Sequence, residues 1–169
     1  MYFKTINRRG AQPRGMSKGE PKVADVMTKS VLAVAPDISA KDCALAMAKK
    51  GVSCAVVSKD GSAMGIVTER DLVSKVLAES IDEKKVLVED IMSTPLITIS
   101  PDADLTSAAE LMAQYRIRRL VVVDKEGTMS GIVTAGDIAR TLAERQQYRD
   151  ASLNAIARYS EGTEGGPYR

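Results

Sequence analysis

Apolar and polar positions along residues 22–146 make two passes through one pattern. Short β-prone runs at 31–34 and 96–99 stop at Pro36 and Pro101. Residues 39–50 then place Cys43, Ala44 and Met47 on one helical face, and residues 104–115 do the same with Leu105, Ala108, Ala109 and Met112. The apolar runs Ala55–Val57 and Leu120–Val123 suit buried strands, and turns at Gly61 and Gly127 lead to third strands at Met64–Thr68 and Ser130–Thr134. Each pass closes with a helix: Leu72, Val73, Val76 and Leu77 line the first, and Ile138, Ala139 and Leu142 the second. A short helix at 23–27 or 88–92 stands in front. The predicted unit is β-α-β-β-α, an α/β architecture present twice.

The identities repeat as well as the pattern. Val-Ala-Asp-Val-Met at 23–27 returns 65 positions later as Val-Glu-Asp-Ile-Met at 88–92, and Pro36-Asp37 returns as Pro101-Asp102. Gly-Ile-Val-Thr at 65–68 recurs at 131–134, now offset by 66, and Asp71 matches Asp137. One extra residue near Arg118–Leu120 is expected to account for the change. A unit of about 60 residues is marginal alone, so the two copies are expected to pack sheet to sheet with pseudo-two-fold symmetry. The expected organisation is a flexible basic arm over 1–21, a first repeat over 22–82, a second over 83–146, and a helix extension with a disordered tail over 147–169. Tyr148, Ile156 and Tyr159 are expected to form a docking stripe in that extension, and Ser80–Lys85 reads as the linker.

Composition narrows the function classes. A net charge of +2 in 169 residues gives no global argument for nucleic acid or membrane. The basic arm (Lys4, Arg8, Arg9, Arg14, Lys18) has little aromatic interleaving, so nucleic acid is not an expected partner. No apolar run reaches the ~20 residues needed to cross a bilayer, and residues 1–20 lack a signal-peptide core. Cys43 and Cys54 read as buried free thiols in a reducing compartment. A cytoplasmic protein is expected. The chain has no histidine, which removes the commonest general base and metal ligand. No nucleophile–base set, metal cluster or phosphate-binding loop can be assembled, so the chain is expected not to be an enzyme and to hold no metal.

The sharpest constellation is Gly-Ile-Val-Thr-x-x-Asp, at Gly65–Asp71 and again at Gly131–Asp137. Thr68 and Thr134 end strands, while Asp71 and Asp137 fall on the first turn of the next helix. One reading is a ligand site, in which the carboxylate accepts two hydrogen bonds from a vicinal diol such as ribose. The other is a helix start, with Thr as N-cap and Asp complementing the macrodipole. The motif alone supports both equally. Arg118 and Arg119 also have two readings. They are a charged strand edge that discourages pairing, or a phosphate clamp; their counterparts in the first copy, Ser53 and Cys54, carry no charge.

The duplicated unit resembles a tandem pair of cystathionine-β-synthase (CBS) domains, a stand-alone Bateman module. The likeness covers about Lys22 to Glu144. It rests on Asp-x-Met (Asp25–Met27, Asp90–Met92), Pro-Asp after the first strand, the Val-Val strand, and Gly-h-h-Thr-x-x-Asp. By that resemblance the module is regulatory and binds AMP, ADP, ATP or S-adenosylmethionine in two clefts between the repeats, with no obligatory cofactor. Thr68 and Thr134 would then contact phosphate or ribose, and Asp71 and Asp137 the ribose hydroxyls. Ile66 and Ile132 would lie near the base, and Arg70 and Gly136 would border the pocket. The family's cross-copy geometry assigns Arg118 and Arg119 to the Asp71 cleft, leaving the Asp137 cleft facing Ser53 and Cys54 and binding phosphorylated ligands less tightly. The likeness also implies a homodimer through the helices carrying Leu72, Val76, Ile138 and Leu142, and a separate effector protein. The competing reading is a dimerisation or partner-docking protein with vestigial clefts.

Overall fold

The computed structural model describes residues 20–144 and Ala157. The expected arm up to residue 19 and the C-terminal extension, Ala157 apart, lie outside the described residues. The elements run α1 (Val23–Val26), β1 (Ala33–Val34), α2 (Ala40–Lys50), β2 (Cys54–Lys59), β3 (Ser62–Thr68) and α3 (Glu69–Leu72). Then come α4 (Val88–Ile91), β4 (Thr98–Ile99), α5 (Leu105–Tyr115), β5 (Arg119–Val123), β6 (Met129–Thr134) and α6 (Ala135–Glu144). The α/β expectation holds, with β-α-β-β-α twice and two three-stranded sheets ordered β1-β2-β3 and β4-β5-β6.

Short polar side chains start the long helices. Ser39 accepts from the Asp42 N–H at 3.1 Å and Asp104 from the Ser107 N–H at 2.7 Å, replacing bonds that a helix N-terminus lacks. Both helices end on a left-handed residue, Gly51 at φ 66° and Arg116 at φ 53°. The helix expected after Asp71 is not uniform, because α3 continues as a π turn over Val73–Leu77.

The extra residue of the second copy sits in its hairpin, not near Arg118–Leu120. The offset is still 65 in the parallel ladders, where Ala33 pairs with Val56 and Thr98 with Val121. By the turn glycines, Gly61 and Gly127, it has become 66. The first copy's own β2–β3 ladder shifts register between Val57 and Ser58, a bulge of the kind common in antiparallel pairs.

The described residues divide into two compact units, and the short leading helices are exchanged between the copies. One unit holds Ser30–Ile97 with the turn Glu126–Met129; the other holds residues 20–29 with Thr98–Lys125 and Ser130 onward. The leader of the second copy, α4, therefore packs on the first copy, and α1 packs on the second. The Val88 and Glu89 N–H groups donate to the carbonyls of Ile38 and Pro36 at 2.9 and 3.0 Å. Val23 and Ala24 donate likewise to Ala103 and Pro101, both at 2.9 Å. The loop after each first strand thus satisfies orphan donors of a leader helix. Asp25 and Asp90 satisfy another donor, accepting from the Lys22 and Leu87 N–H at 2.8 and 3.2 Å. Val88 and Ile91 join Val34, Cys43, Met47, Val57 and Val67 in the first unit's core, while Val23 is fully buried in the second unit.

This exchange gives the glycine of Gly-h-h-Thr its role. A Cβ on Gly65 would stand 2.6 Å from the Met92 sulfur and 3.0 Å from the Ser93 carbonyl. On Gly131 it would stand 2.8 Å from the Thr28 carbonyl and 2.9 Å from the Met27 sulfur. Each leader's methionine lies on the bare backbone of a third strand, and the next residues form a β-bridge there, Ile66 with Ser93 and Thr28 with Ile132. The separated motifs Asp-x-Met and Gly-h-h-Thr are two sides of one contact.

Candidate functional site

In each unit the third strand ends on the threonine and turns at once into a helix, so Thr and Asp three residues on face each other across one turn. The Thr68 N–H and hydroxyl both donate to Asp71 Oδ2, at 2.9 and 2.6 Å, and the Asp71 N–H donates back to Thr68 Oγ1 at 3.3 Å. The second unit repeats this: Thr134 N–H and Oγ1 reach Asp137 Oδ2 at 2.9 and 2.7 Å, and the Asp137 N–H reaches Thr134 Oγ1 at 3.2 Å. The helix-start reading of the motif is thus realised twice, as a reciprocal capping box. Both carboxylates are sheltered, each side chain being 12% exposed.

The other oxygen of each carboxylate holds a cation that the sequence reading did not single out. Lys75 Nζ lies 2.8 Å from Asp71 Oδ1 and also donates to the Ile91 carbonyl at 2.6 Å. Arg140 donates to Asp137 Oδ1. The signal for both was their spacing, four and three residues beyond an aspartate in a predicted helix, where opposite charges meet on one face. Lone pairs can be counted from these bonds. Oδ2 accepts two donors and is full, while Oδ1 accepts one and keeps one site for a further donor.

Ile66 is half-buried and Ile132 is 7% exposed, each two residues before its threonine. Arg70 and Gly136 are exposed beside the aspartates. Ser53 and Arg118 hold matching places: the Glu69 N–H donates to the Ser53 carbonyl at 3.2 Å and the Ala135 N–H to the Arg118 carbonyl at 2.9 Å. Arg118 is exposed, and Arg119, half-buried, opens β5 as Cys54 opens β2. Within its own unit, then, the arginine pair flanks Thr134 and Asp137; Asp71 belongs to the other unit. No group of three or more His, Cys, Asp or Glu among the described residues is arranged to hold a metal ion.

Of the helix residues Leu72, Val76, Ile138 and Leu142, some of which had also to supply the internal core, three do so: Val76, Ile138 and Leu142 are 4%, 0% and 1% exposed. The first unit instead exposes Leu45 and Leu77, at 58% and 73%. They line a groove of about 430 Å³ together with Ala40, Ala44, Ala48, Leu72 and Val76. Lys41 and Glu83 border it and pair at 3.7 Å. In the second copy Glu110 and Ala143 occupy the places of Leu45 and Leu77. Both thiols are free; Cys43 is buried as expected, but Cys54 is only half-buried. Among the described residues no helix is long and apolar enough to cross a membrane.

A family model described as "CBS domain" matches residues 23–78 and again 88–144. An uncharacterised protein of Methanopyrus kandleri is 40% identical over 126 residues, covering 74% of this chain and 62% of that protein, so the chain spans less than two thirds of that relative. The CBS domain-containing protein YhcV of Bacillus subtilis is 36% identical over 117 residues, covering 69% of this chain and 82% of its own. Among solved structures, the CBS domain pair of protein MJ0100, in complex with 5′-methylthioadenosine and S-adenosyl-L-methionine, aligns with a TM-score of 0.67 at 29% identity, covering 75% of this chain and 99% of that one.

Proposed function

Because the chain belongs to the CBS domain family, with two copies in tandem, we propose that it is a regulatory module binding adenosine ligands of the AMP, ADP, ATP or S-adenosylmethionine type. The observation that carries the reading is the twofold occurrence of one sheltered Thr–Asp pair, each with one Oδ1 lone pair to spare. The adenosine-type ligands of the MJ0100 pair support the ligand class. In this reading Asp71 and Asp137 accept ribose hydroxyls, Thr68 and Thr134 meet ribose or phosphate, and Ile66 and Ile132 flank the base. Arg70 and Gly136 border the sites. Arg118 and Arg119 supply bidentate phosphate contacts. The module acts on a separate effector protein from the cytoplasm and pairs with a second copy of itself. The apolar rim of the first unit, Leu45 and Leu77, is the pairing face. Its Lys41–Glu83 border carries both signs, as a surface that meets itself about a two-fold axis requires.

One observation favours a second reading, that of a docking protein with vestigial sites. Lys75 and Arg140 already neutralise both carboxylates. A thermal-shift panel of AMP, ADP, ATP, S-adenosylmethionine and NAD separates the two. A true ligand at a hundred times its Kd stabilises by about 2.7 kcal/mol. An adenosine compound should raise Tm, and Asp71→Asn and Asp137→Asn should each reduce that shift. No shift with any compound at millimolar concentration would establish the docking reading instead.

A further inference from the structure

Lys75 serves two masters within the first unit. Its ammonium, one-third exposed, holds Asp71 Oδ1 and at the same time caps the last carbonyl of α4, that of Ile91. That carbonyl ends a helix and has no intrahelical donor, so a lysine there satisfies it and complements the dipole. Directly beyond Ile91, Met92 covers Gly65, and Ser93 exchanges backbone bonds with Ile66 at 2.8 and 3.2 Å. The chain then leaves the first unit at Ile97 and enters the second at Thr98. The second copy is built differently. Thr141 stands where Lys75 would, and its hydroxyl donates to the Asp137 carbonyl at 2.9 Å, inside its own helix. The cation on Asp137 is Arg140, two-thirds exposed.

We propose that Lys75 is a positioning residue that couples occupation of Asp71 to the C-terminal end of α4, in the first unit only. The proposal rests on the adenosine-binding reading. With Oδ2 filled by the Thr68 N–H and hydroxyl, a vicinal diol donating two hydrogen bonds to Asp71 needs both places on Oδ1, and one is taken by Lys75. A bidentate ribose therefore displaces the ammonium, and the Ile91 carbonyl loses its donor with it. The end of α4, and the connector that follows, then loosen. Ligand binding in one unit becomes a change in the segment that joins it to the other, which is the differential interaction a sensor needs.

Hydrogen exchange on the full chain, with and without saturating AMP, tests this in the wild type, Lys75→Met and Lys75→Arg. Without nucleotide, Lys75→Met should speed exchange over residues 91–94 by about tenfold, the scale of a lost charge-assisted hydrogen bond, and Lys75→Arg should not. AMP should speed the same amides severalfold in the wild type and add nothing in Lys75→Met, while exchange over residues 26–29 should not speed up in any case. Tm measured on the same samples reports binding. An AMP that raises Tm while leaving residues 91–94 unchanged or better protected overturns the coupling alone. Where AMP leaves Tm unmoved, ADP, ATP and S-adenosylmethionine take its place in the same measurement, and a Tm unmoved by all four removes the adenosine-binding reading and the coupling together. Unchanged exchange in nucleotide-free Lys75→Met overturns the clamp itself.

Discussion

Replacing Gly131 with alanine puts one methyl group where the second copy's third strand meets a leader helix. The added Cβ would lie 2.8 Å from the Thr28 carbonyl oxygen, a backbone atom, and 2.9 Å from the Met27 sulfur. To make room, Thr28 must withdraw from Ile132, weakening two backbone bonds of 2.9 and 3.0 Å. Each such bond is worth about 0.5–1.5 kcal/mol, and overpacking typically costs about 1–3 kcal/mol. Alanine gains back about 0.5–1 kcal/mol over glycine within a strand, so a net loss of about 2 kcal/mol is expected. Gly65→Ala should cost less, about 1 kcal/mol, because its nearest neighbour is the Met92 side chain, which can adapt. Urea denaturation of the single and double variants separates the two cases. The Gly65→Ala penalty should largely vanish in a Met92→Ala background. The Gly131→Ala penalty should survive Met27→Ala, since the Thr28 carbonyl remains. A neutral Gly131→Ala, or one fully rescued by Met27→Ala, would refute the reasoning.

Two further outcomes follow from burial. Leu77→Glu, at a side chain 73% exposed, should leave stability within about 0.5 kcal/mol yet convert a dimer to a monomer by light scattering. Ala143→Glu, its counterpart in the second unit, should not, and equal effects would show that the face on the first unit is not special. Burial pushes the Cys43 thiol above its ordinary range, beside the Met47 sulfur at 3.9 Å. A maleimide should therefore label Cys54 alone in the native chain and both thiols in denaturant; two native labels would contradict the burial. Because the folded thiol is the harder one to ionise, its contribution to stability is intact below the unfolded thiol's range and is lost as pH rises from there through the folded thiol's raised one.

Much of the architecture was legible because the apolar runs and the helical spacing were clean. They located every principal strand and helix, and the repeated Thr-x-x-Asp located both capping boxes. The leader exchange was not legible, because the matches of Val23–Met27 with Val88–Met92 are the same whichever copy each leader packs against. The extra residue was misplaced for a similar reason: Val121, Val122 and Val123 offer no identity that fixes a one-residue offset, and only strand register does. The site itself was half visible. Thr and Asp stood out by repetition, but Lys75 and Arg140 did not, since they occupy different positions in the two copies. Repetition as a filter finds what the copies share and passes over how they differ.

The exchanged leaders also change what counts as a piece of this protein. A fragment ending at residue 82 contains one full sequence repeat, yet it lacks Val88, Ile91 and Met92, which fill that repeat's core and cover its Gly65. It carries instead Val23 and Met27, whose packing partners have been left behind. Cutting between the repeats therefore yields two incomplete folds, each presenting the helix that the other lacks, and the complementary fragments have every reason to find each other.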